Sequence, residues 1–237
     1  MREHEQQGER CSNRRGCRCR RGWDGRTESG VHGLITVGNF DTAVAREASS
    51  GVRGTNRYLP PDIAVQCCRF PGDSFHARFG ARSRRYAFLL LESVVRPAIE
   101  SGTCGWVFRP LDGEAMRAAA ATLIGEHDFS SFRSSECQAD SPIKTLHSIG
   151  INQKGSYWRF DFDASAYLHH MIRNLMGCLI AVGNGTRPVG WMAEVLAARD
   201  RKVAAPTFPP DGLYFVGPAY DAEHDIPTHT AAMDWLP

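Results

Sequence analysis

The segment that most constrains the fold is an alternating run near the middle of the chain. Within residues 156–164, Trp158, Phe160 and Phe162 alternate with charged residues. A period of two is typical of a strand that buries one face of a sheet. Residues 143–153 precede it across a Lys-Gly turn, so the two segments predict a β-hairpin. The chain therefore needs a sheet with a core on one side.

Other regular segments predict single helices set between strands. Asp112 is a good N-cap for a helix over 113–124, which Gly125 ends. Two more helices are predicted over 168–182 and 188–199. Further strands are predicted over 34–37, 63–69, 85–91 and 213–217. Strands in runs interrupted by single helices indicate an α+β fold with a mixed or antiparallel sheet.

Composition indicates a globular, cytoplasmic protein. The chain has 237 residues, of which 42% are hydrophobic, and contains neither a membrane-spanning run nor a secretory signal. Residues 1–22 hold seven arginines against three glutamates, whereas the remainder holds 21 basic and 23 acidic residues. We expect residues 1–23 to be a disordered basic leader. Global charge gives no evidence that the rest of the chain binds nucleic acid.

Residues 24–33 form a short predicted loop that is rich in charged and polar side chains. Gly25 and Gly30 can turn tightly, and a guanidinium, a hydroxyl and a carboxylate lie between them. Taken alone, such a decapeptide is more often an ordinary turn.

Several motifs resemble those of one enzyme family. Residues 25–32 read Gly-Arg-Thr-Glu-Ser-Gly-Val-His, and the active-site loop of the TruA family of tRNA pseudouridine synthases reads G-R-T-D-x-G-V-H. Five more matches follow in the family's order and spacing: Phe75–Arg78, Arg84–Tyr86, Gly125–Phe132, Tyr167–Asn174 and Gly212–Tyr214. The resemblance covers roughly residues 24–217. The family's catalytic aspartate is replaced here by Glu28.

This resemblance implies the pseudouridine synthase fold, in which two sheet-plus-helix halves surround a central RNA-binding cleft. We expect halves at 24–109 and 110–219, and a loose tail at 220–237. The N-terminal half is expected to be incomplete, because the family's opening strand and helix are not visible before the loop. The implied reaction isomerises uridines 38–40 in the anticodon arm of tRNA. The family also implies a homodimer that needs no metal or organic cofactor.

The resemblance assigns roles to particular residues. Glu28 takes the position of the catalytic carboxylate, as nucleophile, stabiliser or base, and Arg26 can pair with it. Tyr86 matches the aromatic residue that stacks on the target base, and Arg173 matches a second active-site arginine. Arg84 and Arg85, with Arg82, form a basic run suited to phosphates. Each also has a structural interpretation: a surface ion pair, a core tyrosine or a solvated strand face.

Three hypotheses follow from Glu28 at the catalytic position and from the absence of a regular pattern in the N-terminal sequence. The chain is an impaired tRNA pseudouridine synthase, a non-catalytic RNA-binding relative, or the product of a decayed or misread gene. A metal site at His169 and His170 is not expected, because adjacent helical residues point about 100° apart.

Overall fold

Nine strands and four helices are formed by the residues that the structure describes. The computed structural model describes residues 21–25, 27–42, 46–72 and 74–227. The strands are β1 (Arg21–Trp23), β2 (His32–Gly33), β3 (Gly38–Phe40), β4 (Ser83–Glu92), β5 (Gly105–Val107), β6 (Gly125–Asp128), β7 (Ile143–Lys154), β8 (Tyr157–Ala164) and β9 (Leu213–Ala219). The helices are α1 (Ala48–Asn56), α2 (Gly113–Ala121), α3 (Met171–Gly183) and α4 (Trp191–Ala198).

Seven of the described strands form one mixed sheet. Their order is β2-β9-β4-β8-β7-β6, with β5 paired to β4. The pairs β4–β8, β7–β8 and β6–β7 are antiparallel, whereas β2–β9 and β4–β5 are parallel. The predicted α+β class with a mixed sheet is therefore confirmed. The predicted hairpin is confirmed as well, as β7 and β8.

The main core lies between the sheet and helices α2 and α3. Trp158, Phe160 and Phe162 of β8 are buried in one cluster with Leu175 and Leu179 of α3. Complete burial of side chains of this size contributes about 1.5–3 kcal/mol each. Helix α2 begins as predicted, since the Asp112 carboxylate accepts a 3.0 Å hydrogen bond from the backbone N–H of Ala115.

Contacts divide the chain into two compact units. The first unit contains the described residues up to 28, 36–82 and 218–227, and the second contains 29–35 and 83–217. The first unit holds the two-stranded sheet of β1 and β3 and a small apolar cluster of Phe75, Ala77 and Tyr220. The second unit holds the main core. The halves expected at 24–109 and 110–219 stay a prediction.

The strand predicted over 63–69 is wrong, because the segment is irregular in the structure. The side-chain amide of Asn56 takes the place of a strand partner. It accepts from the backbone N–H of Val65 at 2.7 Å and donates to the Val65 carbonyl at 3.0 Å. Apolar alternation in the sequence could not reveal this pairing with a side chain.

The strand predicted over 34–37 is also wrong, and the strand occurs just after it as β3. Gly38 is a position where β3 needs glycine. A Cβ at Gly38 would lie 2.8 Å from the Trp23 ring on the partner strand β1. Helix α1 was not predicted, because two glycines weaken its helical propensity and it buries no residue.

The two C-terminal helices begin three residues later than predicted. His170 adopts a left-handed conformation with φ of 62°, so α3 cannot begin before Met171. Helix α4 begins at Trp191 after Gly190. The strands predicted over 85–91 and 213–217 are confirmed as β4 and β9, and β5 and β6 were not predicted.

The expectations for the chain ends fall largely outside the described residues. Residues 1–20 and 228–237 are not described. Residues 21–23, which the sequence analysis included in the leader, form β1, a pairing too short to detect from sequence. Residues Ala222–His224 of the expected tail form a 3₁₀ turn. Among the described helices, none has the length and apolar character required to cross a lipid bilayer.

Candidate active site and RNA-binding residues

Tyr86 lies in the middle of the sheet, on β4, with its ring partly exposed. Its ring centroid is 5.0 Å from that of Tyr167, which it meets nearly edge-on at 78°, and 4.9 Å from that of Phe215. Aromatic contacts of this kind fix a ring while leaving its remaining surface available. The structure thus presents Tyr86 as a restrained aromatic surface in the second unit.

Arg84 and Arg85 lie beside Tyr86 on the same strand but on opposite faces. Side chains alternate along a strand, so Arg84 shares the face of Tyr86 and Arg85 lies on the other face. Arg84 donates to the Ser165 carbonyl at 2.8 Å, and Arg85 lies opposite Asp163 in the β4–β8 register. The structure therefore does not bring the two guanidinium groups together on one face.

Arg173 is placed in the first turn of α3, where it is held by Phe208. Its Nε donates to the Phe208 carbonyl at 2.8 Å, and the Phe208 N–H donates to the Arg173 carbonyl at 3.1 Å. These reciprocal bonds orient the guanidinium relative to the segment before β9. Arg173 and Tyr86 both belong to the second unit.

The loop that carries Glu28 continues into the second unit after a sharp turn. Glu28 is half-buried in the first unit, and Arg26 lies outside the described residues. Gly30 has a φ of 82°, and a Cβ there would lie 2.7 Å from Cγ of Pro210. Glycine is needed here for both conformation and space. By contrast, Gly25 adopts no positive φ and meets nothing within 4 Å.

Residues 32–33, at the end of this loop, pair with β9, the strand whose Phe215 contacts the Tyr86 ring. His32 stacks on Tyr214 of β9 at 4.9 Å, and its Nε2 lies 2.9 Å from the Gly102 carbonyl oxygen. Gly33 pairs with Phe215, whose ring contacts Tyr86. Strand β2 is therefore paired with the strand that carries Phe215.

Tyr167, whose ring contacts Tyr86, and Asp163 are polar residues to which the sequence analysis assigned no role. Among the described residues, the buried Tyr167 hydroxyl and the buried Asp163 Oδ1 have no hydrogen-bond partner. Burial raises the pKa of Tyr167 well above its ordinary value, and Tyr86 and Asp163 add to the effect. The Tyr167 hydroxyl thus keeps its proton and remains a donor.

The argument used against a metal at His169 and His170 does not apply in the structure. Both residues precede α3 instead of lying on it, and their rings stack with centroids 3.9 Å apart.

In the first unit, one donor atom from each of Asp221, Glu223 and His224 lies within 4.8 Å of the other two. Arg82 already binds Asp221 through Nε and Nη2, at 2.9 and 2.7 Å, which lowers the pKa of the carboxyl. That carboxylate is neutralised by a guanidinium.

Comparisons with known proteins assign the chain to a family. A family model described as tRNA pseudouridine synthase matches residues 119–221. A tRNA pseudouridine synthase A of Methylibium petroleiphilum is 68% identical over 213 residues, covering 90% of this chain and 82% of the relative. Proteins of that name from Polaromonas naphthalenivorans and Delftia acidovorans are 60% and 54% identical, each over 90% of this chain and 82% and 83% of the relatives. The chain belongs to the tRNA pseudouridine synthase A family.

The resemblance seen in the motifs is thereby confirmed. The family-model match contains Tyr167 and Arg173 but begins after Glu28 and Tyr86. The roles of individual side chains stay predictions.

Proposed function

We propose that this protein is a tRNA pseudouridine synthase that isomerises uridine in the anticodon arm. Membership of the family supports the reaction class. The observation that carries the proposal is the Tyr86 ring on β4, which is restrained by the rings of Tyr167 and Phe215. Phe215 belongs to β9, the strand that pairs with β2. A flipped uracil requires an aromatic surface of this kind.

The chemistry needs few groups. The bond between N1 of uracil and C1′ of ribose breaks, and a bond between C5 and C1′ forms. N1 gains a proton and C5 loses one, so the isomerisation balances without an oxidant or reductant. A carboxylate can assist as nucleophile towards the sugar, as a stabiliser of its positive charge, or as the base. Glu28 is the proposed carboxylate, and Arg26 is the proposed partner that keeps it ionised.

We assign the other predicted residues to RNA binding. Tyr86 stacks on the target base, and Arg173 contacts the nucleotide from the start of α3. Arg84 binds phosphate on the face of the strand that carries Tyr86. Arg85 is proposed to bind RNA from the opposite face of the strand, where it lies across from Asp163.

We further propose that Glu28 impairs the enzyme. Aspartate and glutamate have nearly equal unperturbed pKa values, so ionisation is not affected. The additional methylene displaces the carboxylate by roughly 1 Å, and an error of that size costs on the order of a hundredfold in rate. The same observation supports the second candidate function, a relative that binds tRNA without modifying it.

The test is pseudouridine formation in an unmodified tRNA transcript, measured by carbodiimide labelling and primer extension. A transcript with cytidines replacing the three target uridines is the control. Slow but specific modification supports an impaired synthase, whereas tight binding without product supports the RNA-binding relative. Absence of both binding and product in a folded protein rejects the two proposals. From the family resemblance we also propose a cytoplasmic homodimer, which sedimentation of the purified protein at micromolar concentration can test.

A further inference from the structure

The second unit contains a positively charged pocket that none of the proposed roles uses. Its volume is about 400 Å³, and His170 borders it at the start of α3. We call it the arginine pocket and define it by two arginines and four hydroxyl-bearing residues. They are Ser130, Arg133, Ser134, Ser135, Arg201 and Thr207.

Arg133 and Arg201 have no counter-ion within the described part of the chain. Arg133 donates through Nη2 to the carbonyl groups of Cys137 and Ala139, both at 2.8 Å. Arg201 donates through Nη2 to the side chains of Asn174 and Thr207, both at 3.0 Å. All of these acceptors are neutral, so both positive charges remain available to a ligand.

The two guanidinium groups are also held in place. Asn174 is completely buried, and its Oδ1 accepts from both Arg201 and Thr207 while its Nδ2 donates to the Phe132 carbonyl at 2.8 Å. The Ser134 N–H donates to the His169 carbonyl at 3.0 Å, which ties the other wall to the segment before α3. A charged group that is already oriented loses little conformational entropy when it binds a ligand.

Nearby carboxylates do not neutralise the arginine pocket. Asp128 accepts a hydrogen bond from the Ser130 hydroxyl and lies 3.5 Å from Nε of Arg199. Asp200 accepts from the Lys202 N–H at 2.9 Å. Partial burial of Cys137 opposes ionisation, but N–H groups of Ala139 and His169 and the positive charge of Arg133 outweigh it and lower the pKa of this thiol.

Two positively charged guanidinium groups without a carboxylate partner and several hydroxyls match a tetrahedral oxyanion. The remaining guanidinium N–H groups can donate single charge-assisted hydrogen bonds to phosphate oxygens, and hydroxyl groups complete the coordination. The pocket exceeds a bare phosphate ion in volume and leaves space for the adjoining sugar. We propose that the arginine pocket binds a phosphodiester group of the RNA backbone. This inference rests on the proposed tRNA substrate and adds a contact remote in sequence from the Tyr86 strand.

The decisive variant is Ser135→Asp, which places a negative charge at the rim without removing an internal contact. Ser135 is exposed, and its side chain forms no hydrogen bond within the described residues. Ser156→Asp, at the exposed turn between β7 and β8, is the matched control with the same change of charge. We expect Ser135→Asp to bind the tRNA transcript about tenfold more weakly than Ser156→Asp at low salt, through repulsion of the phosphate. Equal affinities in the two variants would overturn the proposal.

A second variant measures the phosphate contact itself. Arg133→Gln should reduce the slope of log affinity against log salt by about 0.7–0.9, the amount associated with one phosphate contact. An unchanged slope in a variant with the native circular dichroism spectrum contradicts the proposal. Because Arg133 also supports the loop at 137–139, the Ser135→Asp comparison checks the same contact without altering that loop.

Inorganic phosphate distinguishes the source of the bound group. The thermal midpoint of the wild-type protein and of Ser135→Asp is measured in phosphate and in chloride at equal ionic strength. Phosphate stabilisation lost in Ser135→Asp, together with weaker tRNA binding, supports a pocket that also accepts the free ion. Weaker tRNA binding without phosphate stabilisation supports a pocket that needs the RNA chain. Phosphate stabilisation with unchanged tRNA binding identifies a small-anion site and overturns the phosphodiester proposal.

The outcome is separable from that of the proposed function. If the wild type forms no pseudouridine but Ser135→Asp weakens tRNA binding, the synthase proposal fails and the phosphate contact stands. If pseudouridine forms and the two aspartate variants bind equally, the phosphate contact fails and the synthase proposal stands.

Discussion

The ring of Tyr167 meets the ring of Tyr86 nearly edge-on, and the Tyr167 hydroxyl is buried without a hydrogen-bond partner among the described residues. An unsatisfied buried hydroxyl destabilises the folded state, so Tyr167→Phe should raise the free energy of unfolding by about 1 kcal/mol in urea denaturation. The control is Tyr214→Phe, because the Tyr214 hydroxyl donates to the Thr103 carbonyl at 2.7 Å. That variant should lose about 1 kcal/mol. Equal destabilisation by both changes would show that the Tyr167 hydroxyl has a partner in the free protein.

Glu28→Asp should increase the rate of pseudouridine formation. Shortening the side chain restores the family's carboxylate position, and a correction of roughly 1 Å is expected to raise kcat about a hundredfold. Single-turnover kinetics with an unmodified transcript measures the step directly. Glu28→Gln is the control and should abolish product, since it removes the charge at constant length. Robust activity of the unmutated chain, unimproved by aspartate, would show that the site accepts the longer acid.

Neutralising Arg84 should weaken tRNA binding more than neutralising Arg82. The Arg82 charge is already matched by its bidentate partner Asp221, whereas Arg84 lies on the face of β4 that carries Tyr86 and donates to the Ser165 carbonyl. We expect Arg84→Gln to reduce the salt slope by about 0.7–0.9 and Arg82→Gln to leave it unchanged. Filter binding over a salt series gives both slopes. A larger effect at Arg82 would mean that Asp221 releases it when RNA binds.

Hydrogen exchange should show that the first unit opens more readily than the second. Its cluster of Phe75, Ala77 and Tyr220 is small, and strands β1 and β3 have three residues each. Few buried apolar contacts mean a low free energy of local opening. Backbone amides of 36–82 should therefore exchange faster than those of β4, β7, β8 and α3, as mass spectrometry of peptides can measure. Uniform protection would contradict this expectation.

Cys137 should be alkylated faster than Cys104 at pH 8. The pKa of Cys137 is lowered, whereas burial and the nearby Glu100 raise the pKa of Cys104 to about 11. The thiolate is the reactive form, so iodoacetamide should label Cys137 before Cys104 in a peptide map.

Because the folded-state pKa of Cys104 is raised, this thiol adds to the free energy of unfolding. That contribution is complete below about pH 9 and is lost as the pH approaches 11. The alkaline loss of stability should therefore be smaller in Cys104→Ala.

The sequence predicted those elements whose cause is local. Aromatic alternation on β8 and the Asp112 cap of α2 follow from a few neighbouring residues, and both are confirmed. The failures involve tertiary contacts that no local pattern records. The Asn56 amide replaces a strand partner for Val65, and the Trp23 ring occupies the space left by Gly38.

The candidate site divides in the same way. Arg84 and Tyr86 could be found from a motif, because their strand is local and their order carries the resemblance. The Arg133 and Arg201 pair could not, since the two residues are far apart in sequence and meet only through the turns packed around α3. A neutral set of partners for an arginine is likewise visible only in three dimensions.

The buried carboxamide of Asn174 has a consequence for how this protein can change over time. One side chain bonds to Phe132 and to Arg201 and Thr207, which belong to two separate segments, the turn after β6 and the connection between α4 and β9. A replacement of Asn174 by an apolar residue removes all three bonds at once, although the residue is inaccessible to solvent. Under the proposed phosphodiester contact, selection for RNA binding at the surface acts on an interior position. Among descendants of this sequence, substitutions at 174, 201 and 207 should be inherited together or not at all.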